Sequence, residues 1–580
     1  MNPPDHLDAS NVNSLWCGVL AETLARCGVS HAVIAPGSRS TPLAFAFARH
    51  PGIEAISVLD ERSAAFFALG LARRNGRPTV LVCTSGTAAA NFFPAVIEAQ
   101  ESGAPLLVIT ADRPPEMRAC ASGQTIDQQK LFGGHVNFYH ELAVPKLSEK
   151  LLRYLRQTLL HAVERTLQGG SGPVHLNAPF RDPLAPLPDG GAAEKLAAAI
   201  DWPRFFAQVG SVTGPGNVLA APPRLVPEVH GVIIAGPEQR ADPEAYARTV
   251  ALLALKLGWP VLADTLSPLR HHAGLNPNLV TTYDMILRHP ATAERLSPEI
   301  VLCLGGWPTS KVLRRWVEEA DAPVWLLTDR PDNRDALHGR TRHCPLSPAL
   351  LAEHLPATDG PNGYQQLWAS FERKARAGID GRLGAMTEMF EGRAAWLLAQ
   401  HLPAETPVFV ANSMPARDVE FYWPPGDRRF ALFCNRGANG IDGTLSTALG
   451  VAHGGQAAVL LTGDLALLHD TNGFLIRPKF RGSLTIVLIN NRGGGIFEHL
   501  PVSQFDPPFE EFMATPQEAD FAKLCAAYGV GHVSVDDWAH FTTLISDLPT
   551  AGVWVVELRT DRKKDVKTRE RLFTEVAAVL

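Results

Sequence analysis

Two polar side chains that could bind a metal ion follow two short apolar runs late in the sequence. Asp464 comes just after the run 457–462, and Asn491 comes just after the run 484–489. Short apolar runs bounded by glycine or polar residues are typical of buried parallel strands. The carboxyl ends of parallel strands lie at one edge of a sheet, so we expect the two side chains to meet there. A carboxylate and an amide oxygen suit Mg²⁺, which usually also binds the phosphates of a ligand.

Four further predicted strands, early in the sequence, also end in residues that could bind a ligand. Function concentrates in such loops, which lie along one edge of a parallel sheet. A single segment of this kind is often only a solvated turn, but four of them, three with an arginine, favour a binding site. The four segments are Gly37-Ser-Arg-Ser-Thr41, Asp60-Glu-Arg62, Thr84-Ser-Gly-Thr87 and Ala111-Asp-Arg-Pro-Pro115.

The elements that would position these residues alternate between helices and strands. Leu15, Val19, Leu20 and Leu24 make a helical stripe, and Ala-rich helical stretches separate the strands that follow. Alternation of this kind predicts βαβ units around parallel sheets. Stretches rich in Pro and Gly at 182–228 and 355–363 predict two linkers, the first with a short helix.

The predicted fold class is therefore α/β, with three consecutive domains that each contain a doubly wound parallel sheet. The predicted domains are 1–186, 187–370 and 371–580, and three domains suit a chain of 580 residues. Besides the two late runs, the predicted strands are 31–35, 53–59, 79–83, 106–110, 231–235, 260–263, 300–304, 324–327, 408–411, 430–433 and 553–558.

Composition excludes several classes of protein. The formal net charge of −6 does not indicate a basic surface that would bind nucleic acid. No apolar run is long enough for membrane insertion. The eight cysteines form no Cys-x-x-Cys pair, which favours buried reduced thiols over disulfides or a zinc site. The first residues lack the basic and apolar regions of a signal peptide, so we expect a cytoplasmic enzyme.

The combination of Glu61 at an early strand end with Gly463-Asp464 and Asn491 resembles the thiamine-diphosphate enzymes of the pyruvate-oxidase-like group. The resemblance covers all three predicted domains. A narrower likeness is to the branch of this family that joins 2-oxoglutarate to isochorismate in menaquinone or phylloquinone biosynthesis. The segments that carry the narrower likeness are Pro36-Gly-Ser-Arg-Ser-Thr-Pro42, Thr110-Ala-Asp-Arg-Pro-Pro115, Asn412-Ser-Met-Pro-Ala-Arg-Asp418, Asn435-Arg-Gly-Ala-Asn-Gly-Ile-Asp-Gly443 and Gly493-Gly-Gly-Ile-Phe497.

The resemblance implies two cofactors, thiamine diphosphate and Mg²⁺, with Mn²⁺ as a possible substitute. It makes Glu61 the catalytic carboxyl group, hydrogen-bonded to the pyrimidine ring of thiamine diphosphate. The alternative interpretation of Glu61 is an exposed carboxylate that stabilises the start of a helix. It makes Asp464 and Asn491 metal ligands through their side chains, and Gly493 a ligand through its carbonyl. The implied cofactor contacts are Ser413, Met414, Gly440, Ile441, Gly463, Asp464, Leu465, Asn491 and Ile496.

One position departs from the family pattern. The wider group has Gly-Asp-Gly where this chain has Gly463-Asp464-Leu465, which removes a flexible backbone position beside the phosphate. Replacement of that glycine occurs in the branch that acts on isochorismate, so the departure favours this branch.

Positively charged side chains at predicted strand ends indicate which substrates the protein binds. The two implied substrates, 2-oxoglutarate and isochorismate, together carry four carboxylates, and arginine pairs bidentately with carboxylate. An acetohydroxyacid synthase acting on pyruvate needs no such set. The resemblance also implies a homodimer or homotetramer with active sites between subunits. The implied substrate contacts are Ser38, Arg39, Arg113, Gln124, Lys311, Arg417, Arg436, Phe497 and Leu500.

Two alternative functions stay open at this point. The nearest is another thiamine-diphosphate-dependent carboligase or decarboxylase that acts on a different 2-oxo acid. The other is a non-catalytic paralogue that has kept the fold, although Glu61, Asp464 and Asn491 are all present. A nucleotide-binding dehydrogenase is disfavoured, because the turn 435–440 lacks Gly-x-Gly-x-x-Gly followed by an acidic residue.

Overall fold

The computed structural model describes residues 4, 6–207, 209–212, 223, 225, 229–328, 330, 332–355 and 362–580. Parts of the two predicted linkers lie outside these residues. The chain divides into two compact units. The first comprises Met1–Gly216, Asn435–Gly454 and His469–Arg481, and the second comprises Asn217–Cys434, Gly455–Leu468 and Gly482–Leu580.

The first unit contains a six-stranded parallel sheet with the strand order β2-β1-β3-β4-β6-β5. The order reverses between β1 and β3, which makes the carboxyl ends of these strands the expected place for a ligand. Helix α1 buries its apolar face, including Leu15 and Val19, in the core of this unit. The strands are β1 (His31–Ile34), β2 (Glu54–Ser57), β3 (Thr79–Cys83), β4 (Leu106–Asp112), β5 (Phe138–Glu141) and β6 (Val174–Pro179). The helices of residues 12–205 are α1 (Val12–Arg26), α2 (Thr41–Arg49), α3 (Glu61–Asn75), α4 (Ala88–Asn91), α5 (Phe93–Ser102), α6 (Glu149–Leu167), α7 (Ala192–Ala199) and α8 (Trp202–Phe205).

The second unit contains two sheets, and the first of them has the order β12-β11-β10-β7-β8-β9. Its strand order reverses between β10 and β7. The strands are β7 (Gly231–Ala235), β8 (Val261–Ala263), β9 (Leu279–Val280), β10 (Ile300–Leu304), β11 (Val324–Leu327) and β12 (Thr341–Cys344). The helices of residues 243–385 are α9 (Pro243–Leu257), α10 (Tyr283–Leu287), α11 (Pro290–Arg295), α12 (Lys311–Ala320), α13 (Pro348–His354) and α14 (Gly363–Ala385).

The other sheet of the second unit has the order β14-β13-β15-β16-β18-β17, again with a reversal, here between β13 and β15. The strands are β13 (Pro407–Val410), β14 (Ala431–Phe433), β15 (Ala458–Gly463), β16 (Ser483–Asn490), β17 (Gly531–Val535) and β18 (Gly552–Arg559). The helices of residues 391–577 are α15 (Glu391–His401), α16 (Met414–Tyr422), α17 (Thr444–Ala452), α18 (Asp464–His469), α19 (Phe521–Tyr528), α20 (Trp538–Ser546) and α21 (Arg562–Ala577).

Three parallel sheets with helices confirm the predicted fold class. Each sheet lies within one of the three predicted domain ranges, while the exact boundaries stay predictions. Five strands lie outside the predicted set: β5, β6, β9, β12 and β17. Four of these are edge strands with short or half-buried segments, so they lack a continuous apolar run. The fifth, β6, is buried, but His175 and Asn177 interrupt its apolar pattern.

Helix α17 belongs to the first unit, although its sequence lies between strands of the second. It packs against α3. No helix among the described residues is both long enough and apolar enough to cross a membrane.

Candidate active site

The predicted metal ligands Asp464 and Asn491 follow neighbouring strands of the sheet that contains β13 to β18. Gly463 pairs with Ile489, so β15 and β16 end side by side. The Asp464 carboxylate accepts the backbone N–H of Gly493 at 2.8 Å. The structure therefore brings the loops that carry the three predicted metal ligands into direct contact.

The Asp464 carboxyl group is buried, with 3% of the residue exposed. It also accepts the backbone N–H of Leu465 at 2.8 Å. Burial raises the pKa of the Asp464 carboxyl to about 6, although the backbone N–H donors of Gly493 and Leu465 oppose this rise. A cation bound beside this carboxylate would compensate for the lost hydration.

The Asn491 side chain has one satisfied end and one unsatisfied end. Its Nδ2 donates to Oε2 of Glu391 at 3.0 Å. Its Oδ1 is buried and has no hydrogen-bond partner. A buried acceptor without a partner is costly, and a bound ion is one of the few ways to satisfy it.

The third predicted metal ligand, Gly493, has a backbone that only glycine adopts readily. Its φ is +128°, and a Cβ there would lie 2.4 Å from the carbonyl oxygen of Ala514. The Gly493 carbonyl accepts the N–H of Gly495 at 2.9 Å and retains a second lone pair. A carboxylate, an orphan amide oxygen and a carbonyl form a hard oxygen donor set, which fits Mg²⁺.

The predicted cofactor contacts Ser413 and Met414 lie at the end of β13, beside the reversal in strand order. Ser413 has φ +72° and ψ −131°, a rare conformation for a residue with a side chain, and such strain is concentrated at functional sites. Arg417 donates to the Ser413 carbonyl at 2.7 Å and so supports this turn. Met414 is buried at the start of α16.

The predicted cofactor contact Ile496 and the predicted substrate contacts Phe497 and Leu500 follow the Gly493 turn, the first two within a short 3₁₀ helix, Gly495–His499. Ile496 and Phe497 are half-buried, and Leu500 is 39% exposed. The Phe497 ring covers Gly494, because a Cβ there would lie 2.6 Å from the ring. These residues lie on the same chain segment as two of the predicted metal ligands, Asn491 and Gly493.

In the first unit, Glu61 is the first residue of α3. Asp60 caps this helix by accepting the backbone N–H of Ser63 at 2.9 Å. Glu61 itself is half-buried. Burial, and to a lesser extent the charge of Glu61, raise the pKa of the Cys83 thiol at the end of β3.

The predicted substrate contacts Ser38 and Arg39 follow β1 and differ in exposure. Ser38 is exposed, whereas only 4% of Arg39 is exposed. The Arg39 guanidinium donates to the Phe180 carbonyl at 3.0 Å and lies 3.5 Å from the Asp182 carboxylate. Its Nε is buried without a partner.

Arg113 and Gln124 belong to loops that the fold holds in place. Arg113 donates to the carbonyl of Gly123 at 3.0 Å. Gln124 donates from Nε2 to the Ser85 carbonyl at 3.1 Å, and Ser85 donates from its hydroxyl to the Gln124 carbonyl at 3.0 Å. The structure thus brings the segments after β3 and β4 together.

Asp112, which belongs to the predicted segment 111–115 but was not singled out there, supports these loops together with Asn177 and Gln128. Asp112 is fully buried, accepts the Arg113 N–H at 2.7 Å and pairs with Arg118 at 3.0 Å. Asn177 donates to Asp112 at 2.8 Å. Gln128 accepts the N–H of Gly86 at 2.9 Å. A carboxylate inside an apolar strand such as β4 is a signal that could have identified Asp112.

The loop with Arg436, Gly440 and Ile441 is held by another missed residue, Glu98. Its carboxylate accepts the N–H groups of Gly437 and Ala438 at 3.0 and 2.6 Å. Arg73 pairs with the same carboxylate at 2.8 Å. A cavity of about 190 Å³ lies beside this loop and is lined by Phe66, Pro94, Ile97, Glu98, Asn435, Ala438, Gly440 and Asp442.

Lys311 is the predicted substrate contact after β10. It is the exposed first residue of α12, which Ser310 caps by accepting the Leu313 N–H at 3.0 Å. Its ammonium group makes no ion pair with any residue that the structure describes.

A cluster of His6, Glu22 and His50 resembles a metal site but does not fit one. Both imidazole Nε2 atoms lie near one Glu22 oxygen, at 2.9 and 3.0 Å. The backbone N–H of Gly52 donates to Nδ1 of His50, so Nε2 of His50 carries the proton and has no lone pair for an ion. Arg26 also pairs with Glu22, at 2.6 Å.

A larger cavity, of about 370 Å³, lies in the second unit between Trp423 and Phe430. None of the predicted site residues lines it.

Comparison with known families gives three successive matches. A model of the thiamine pyrophosphate enzyme N-terminal TPP binding domain matches residues 18–131. A model of the middle domain of thiamine pyrophosphate enzymes matches 224–410, and a model of the C-terminal TPP binding domain matches 419–557.

Full-length relatives share one name, 2-succinyl-5-enolpyruvyl-6-hydroxy-3-cyclohexene-1-carboxylate synthase. The protein of that name from Trichormus variabilis is 54% identical over 573 residues, and the one from Nostoc sp. is 53% identical over the same length. Each alignment covers 98% of both chains. The protein from Synechococcus sp. strain JA-3-3Ab is 52% identical, over 99% of this chain and 98% of the relative.

Proposed function

We propose, on the premise that this chain belongs to the thiamine pyrophosphate enzyme family, that it is a transferase that joins 2-oxoglutarate to isochorismate. The reaction releases CO₂ from 2-oxoglutarate and adds the remaining four-carbon unit to isochorismate. The product is 2-succinyl-5-enolpyruvyl-6-hydroxy-3-cyclohexene-1-carboxylate, the compound in the name of the full-length relatives. This product places the enzyme in menaquinone or phylloquinone biosynthesis.

The observation that carries the proposal is the oxygen donor set of Asp464, Asn491 and Gly493. The orphan Oδ1 of Asn491 is buried beside a buried carboxylate and suits Mg²⁺ bound to a diphosphate. In our proposal these residues hold the metal, while Ser413 and Met414 contact the cofactor. When bound, thiamine diphosphate supplies the nucleophilic carbon and the electron sink for loss of CO₂.

The chain's own side chains orient and protect the reactants. The Glu61 carboxyl group would hydrogen-bond to a ring nitrogen of the bound cofactor. Arg113, Arg417 and Arg436 pair with substrate carboxylates, for which their planar guanidinium groups are suited. Ile496 and Phe497 exclude water from the reacting carbon, which protects it from wasteful protonation.

A homodimer or homotetramer with shared active sites is also part of the proposal. This part rests on the family resemblance alone. Mixing Glu61→Gln subunits with Asp464→Ala subunits tests it, because each variant is inactive alone. Recovery of activity after the two variants are co-refolded or co-expressed supports shared sites, and no recovery in a demonstrably mixed oligomer contradicts them.

The experiment that tests the function follows loss of isochorismate absorbance with purified protein, Mg²⁺ and thiamine diphosphate. We expect loss only when 2-oxoglutarate and the cofactor are both present. Pyruvate in place of 2-oxoglutarate is the control for another carboligase. Activity with pyruvate and none with 2-oxoglutarate would assign the chain to that alternative. Cofactor binding without turnover of any 2-oxo acid would favour a non-catalytic paralogue.

A further inference from the structure

We propose that Glu391 and Arg569 are positioning residues that orient Asn491 as a metal ligand. This inference rests on the proposed function, because it concerns the metal site of that function. Neither residue belongs to the predicted cofactor or substrate contacts. Both are buried, with 3% and 1% of the residue exposed.

The first step is the orientation of the Asn491 amide. The atom 3.0 Å from Oε2 of Glu391 must be a donor, because a carboxylate only accepts hydrogen bonds. The amide NH₂ of Asn491 therefore faces Glu391. The opposite end of the amide, Oδ1, then faces away from Glu391, where it is buried without a partner.

The second step is the anchoring of Glu391 itself. Glu391 is the first residue of α15, and its other oxygen accepts from Arg569 of α21 at 2.8 Å. Arg569 also donates to Asp418 of α16 at 2.6 Å and to Nε2 of His499 at 2.9 Å. Three helices thus converge on one guanidinium group.

Arg569 links the metal ligand to the predicted cofactor turn. Asp418 lies on α16, the helix that begins directly after Ser413. His499 belongs to the 3₁₀ helix that follows the Gly493 turn. One buried guanidinium therefore fixes the positions of segments that carry metal, cofactor and apolar contacts, a role typical of residues behind metal ligands.

The chain offers a matched control in the neighbouring residue. Asn490 donates from Nδ2 to Oε1 of Glu557 at 2.7 Å, and Glu557 is also buried, with 1% exposed. Glu557 pairs with Arg559 at 3.1 Å and with His532 at 2.8 Å. The same chemistry thus occurs at an asparagine that is not a predicted metal ligand.

Glu391→Gln tests the orientation directly. A glutamine offers one oxygen and one NH₂ group to the two donors that Glu391 satisfies. The charged Arg569 forms the stronger hydrogen bond and retains the oxygen, so the NH₂ group faces Asn491. Two NH₂ groups then oppose each other, and the Asn491 amide turns its own NH₂ toward the metal position.

The measurement is Mn²⁺ binding to the full-length protein with thiamine diphosphate, followed by electron paramagnetic resonance of free Mn²⁺. We expect Glu391→Gln to weaken Mn²⁺ binding by about 10–100-fold. Glu557→Gln should change the Mn²⁺ affinity by less than about twofold, since Glu557 contacts Asn490 and not Asn491. Thermal unfolding without metal reports the purely structural cost of each variant.

Unchanged Mn²⁺ affinity in Glu391→Gln would overturn the inference, as would an equal loss in Glu557→Gln. If the wild-type protein bound no Mn²⁺ in the presence of the cofactor, the proposed function would fail and the inference with it. If Glu391→Gln did not fold, Glu391→Asp and Glu557→Asp would replace the pair. Aspartate keeps the charge beside Arg569 but withdraws from Asn491, so weaker Mn²⁺ binding is again expected in Glu391→Asp alone.

Discussion

Gly70 of α3 and Gly450 of α17 lie against each other in the first unit, and no side chain fits between them. A Cβ on Gly70 would lie 2.2 Å from the carbonyl oxygen of Thr447, and a Cβ on Gly450 would lie 2.2 Å from that of Phe67. The backbones of the two helices are therefore in direct contact. This contact fixes the spacing between α3, which begins at Glu61, and the loop that precedes α17.

Gly70→Ala should destabilise the protein, because the added methyl group meets rigid backbone atoms rather than flexible side chains. Overpacking of this kind costs about 1–3 kcal/mol. Denaturant unfolding of the wild type and the variant measures the change. Gly381→Ala in α14 is the matched control, since nothing lies within 4 Å of its added Cβ. The control should be neutral or stabilising by about 0.5–1 kcal/mol, because alanine favours a helix more than glycine does. Equal stability of the two variants would contradict the close contact.

Glu61→Gln should abolish turnover and leave cofactor binding largely intact. Glutamine keeps the size of the side chain but cannot exchange a proton with the cofactor ring. We expect a fall in kcat of at least about 100-fold, the usual contribution of a proton-transferring group. Steady-state kinetics and calorimetric binding of the cofactor with Mg²⁺ provide the two readouts.

Glu149→Gln is a suitable control, because Glu149 is also the first residue of a helix and is half-buried, as Glu61 is. Its ion pair with Arg153 is exposed and contributes little to stability. A fully active Glu61→Gln enzyme would remove Glu61 from the catalytic role.

Glu98→Gln should weaken substrate binding more than the chemical step. The NH₂ group of glutamine cannot accept the N–H of Gly437 or Ala438, so the loop beside Arg436 loses one of its two anchors. Hydrogen bonds to a charged group are each worth about 1.5–3 kcal/mol, so a KM increase of about tenfold is expected. Initial rates at varied substrate concentrations measure it, with Glu149→Gln again as the control. A fall in kcat with unchanged KM for both substrates would speak against this role.

Stability should depend on pH through His175. Burial lowers the pKa of this imidazole to about 3. A proton added at Nδ1 would have no acceptor, because Nδ1 is buried without a hydrogen-bond partner. The unfolded chain binds that proton near the ordinary pKa of about 6.5. Between these values the unfolded state holds more protons, so stability is fully present above pH 6.5 and falls as the pH drops. The slope is at most about 1.4 kcal/mol per pH unit for one group.

His175→Gln should flatten this dependence between pH 4 and 6.5, because glutamine keeps a donor for Thr110 but does not titrate. Thermal midpoints across that range measure the effect. His161→Gln is the control, since His161 is exposed on α6 and should leave the dependence unchanged. Identical pH profiles for the wild type and His175→Gln would exclude His175 as the cause.

Local sequence patterns were sufficient to predict most elements of this protein and to propose the chain positions of its active site. Apolar runs and helical spacing are properties of neighbouring residues, so they were sufficient to predict α1, most strands and the fold class. Because parallel strands end at one edge, the same patterns predicted that Asp464 and Asn491 would be close. The cofactor and the substrate pair came from motifs recognised as a set. The strand prediction failed mainly at edge strands, because their apolar pattern is incomplete.

Tertiary packing decided which side chains support the site and how they are oriented. Glu391 and Asn491 are 100 positions apart, and Glu98 is 339 positions from Gly437. No local pattern couples such residues, because their contact depends on how helices and loops pack in space. The orphan Oδ1 of Asn491 likewise arises only when Glu391 takes the other end of the amide. The sequence by itself determined the fold class and the family of this chain, because both depend on local patterns and motifs, whereas the three-dimensional packing decided which buried groups contact and orient the predicted site residues.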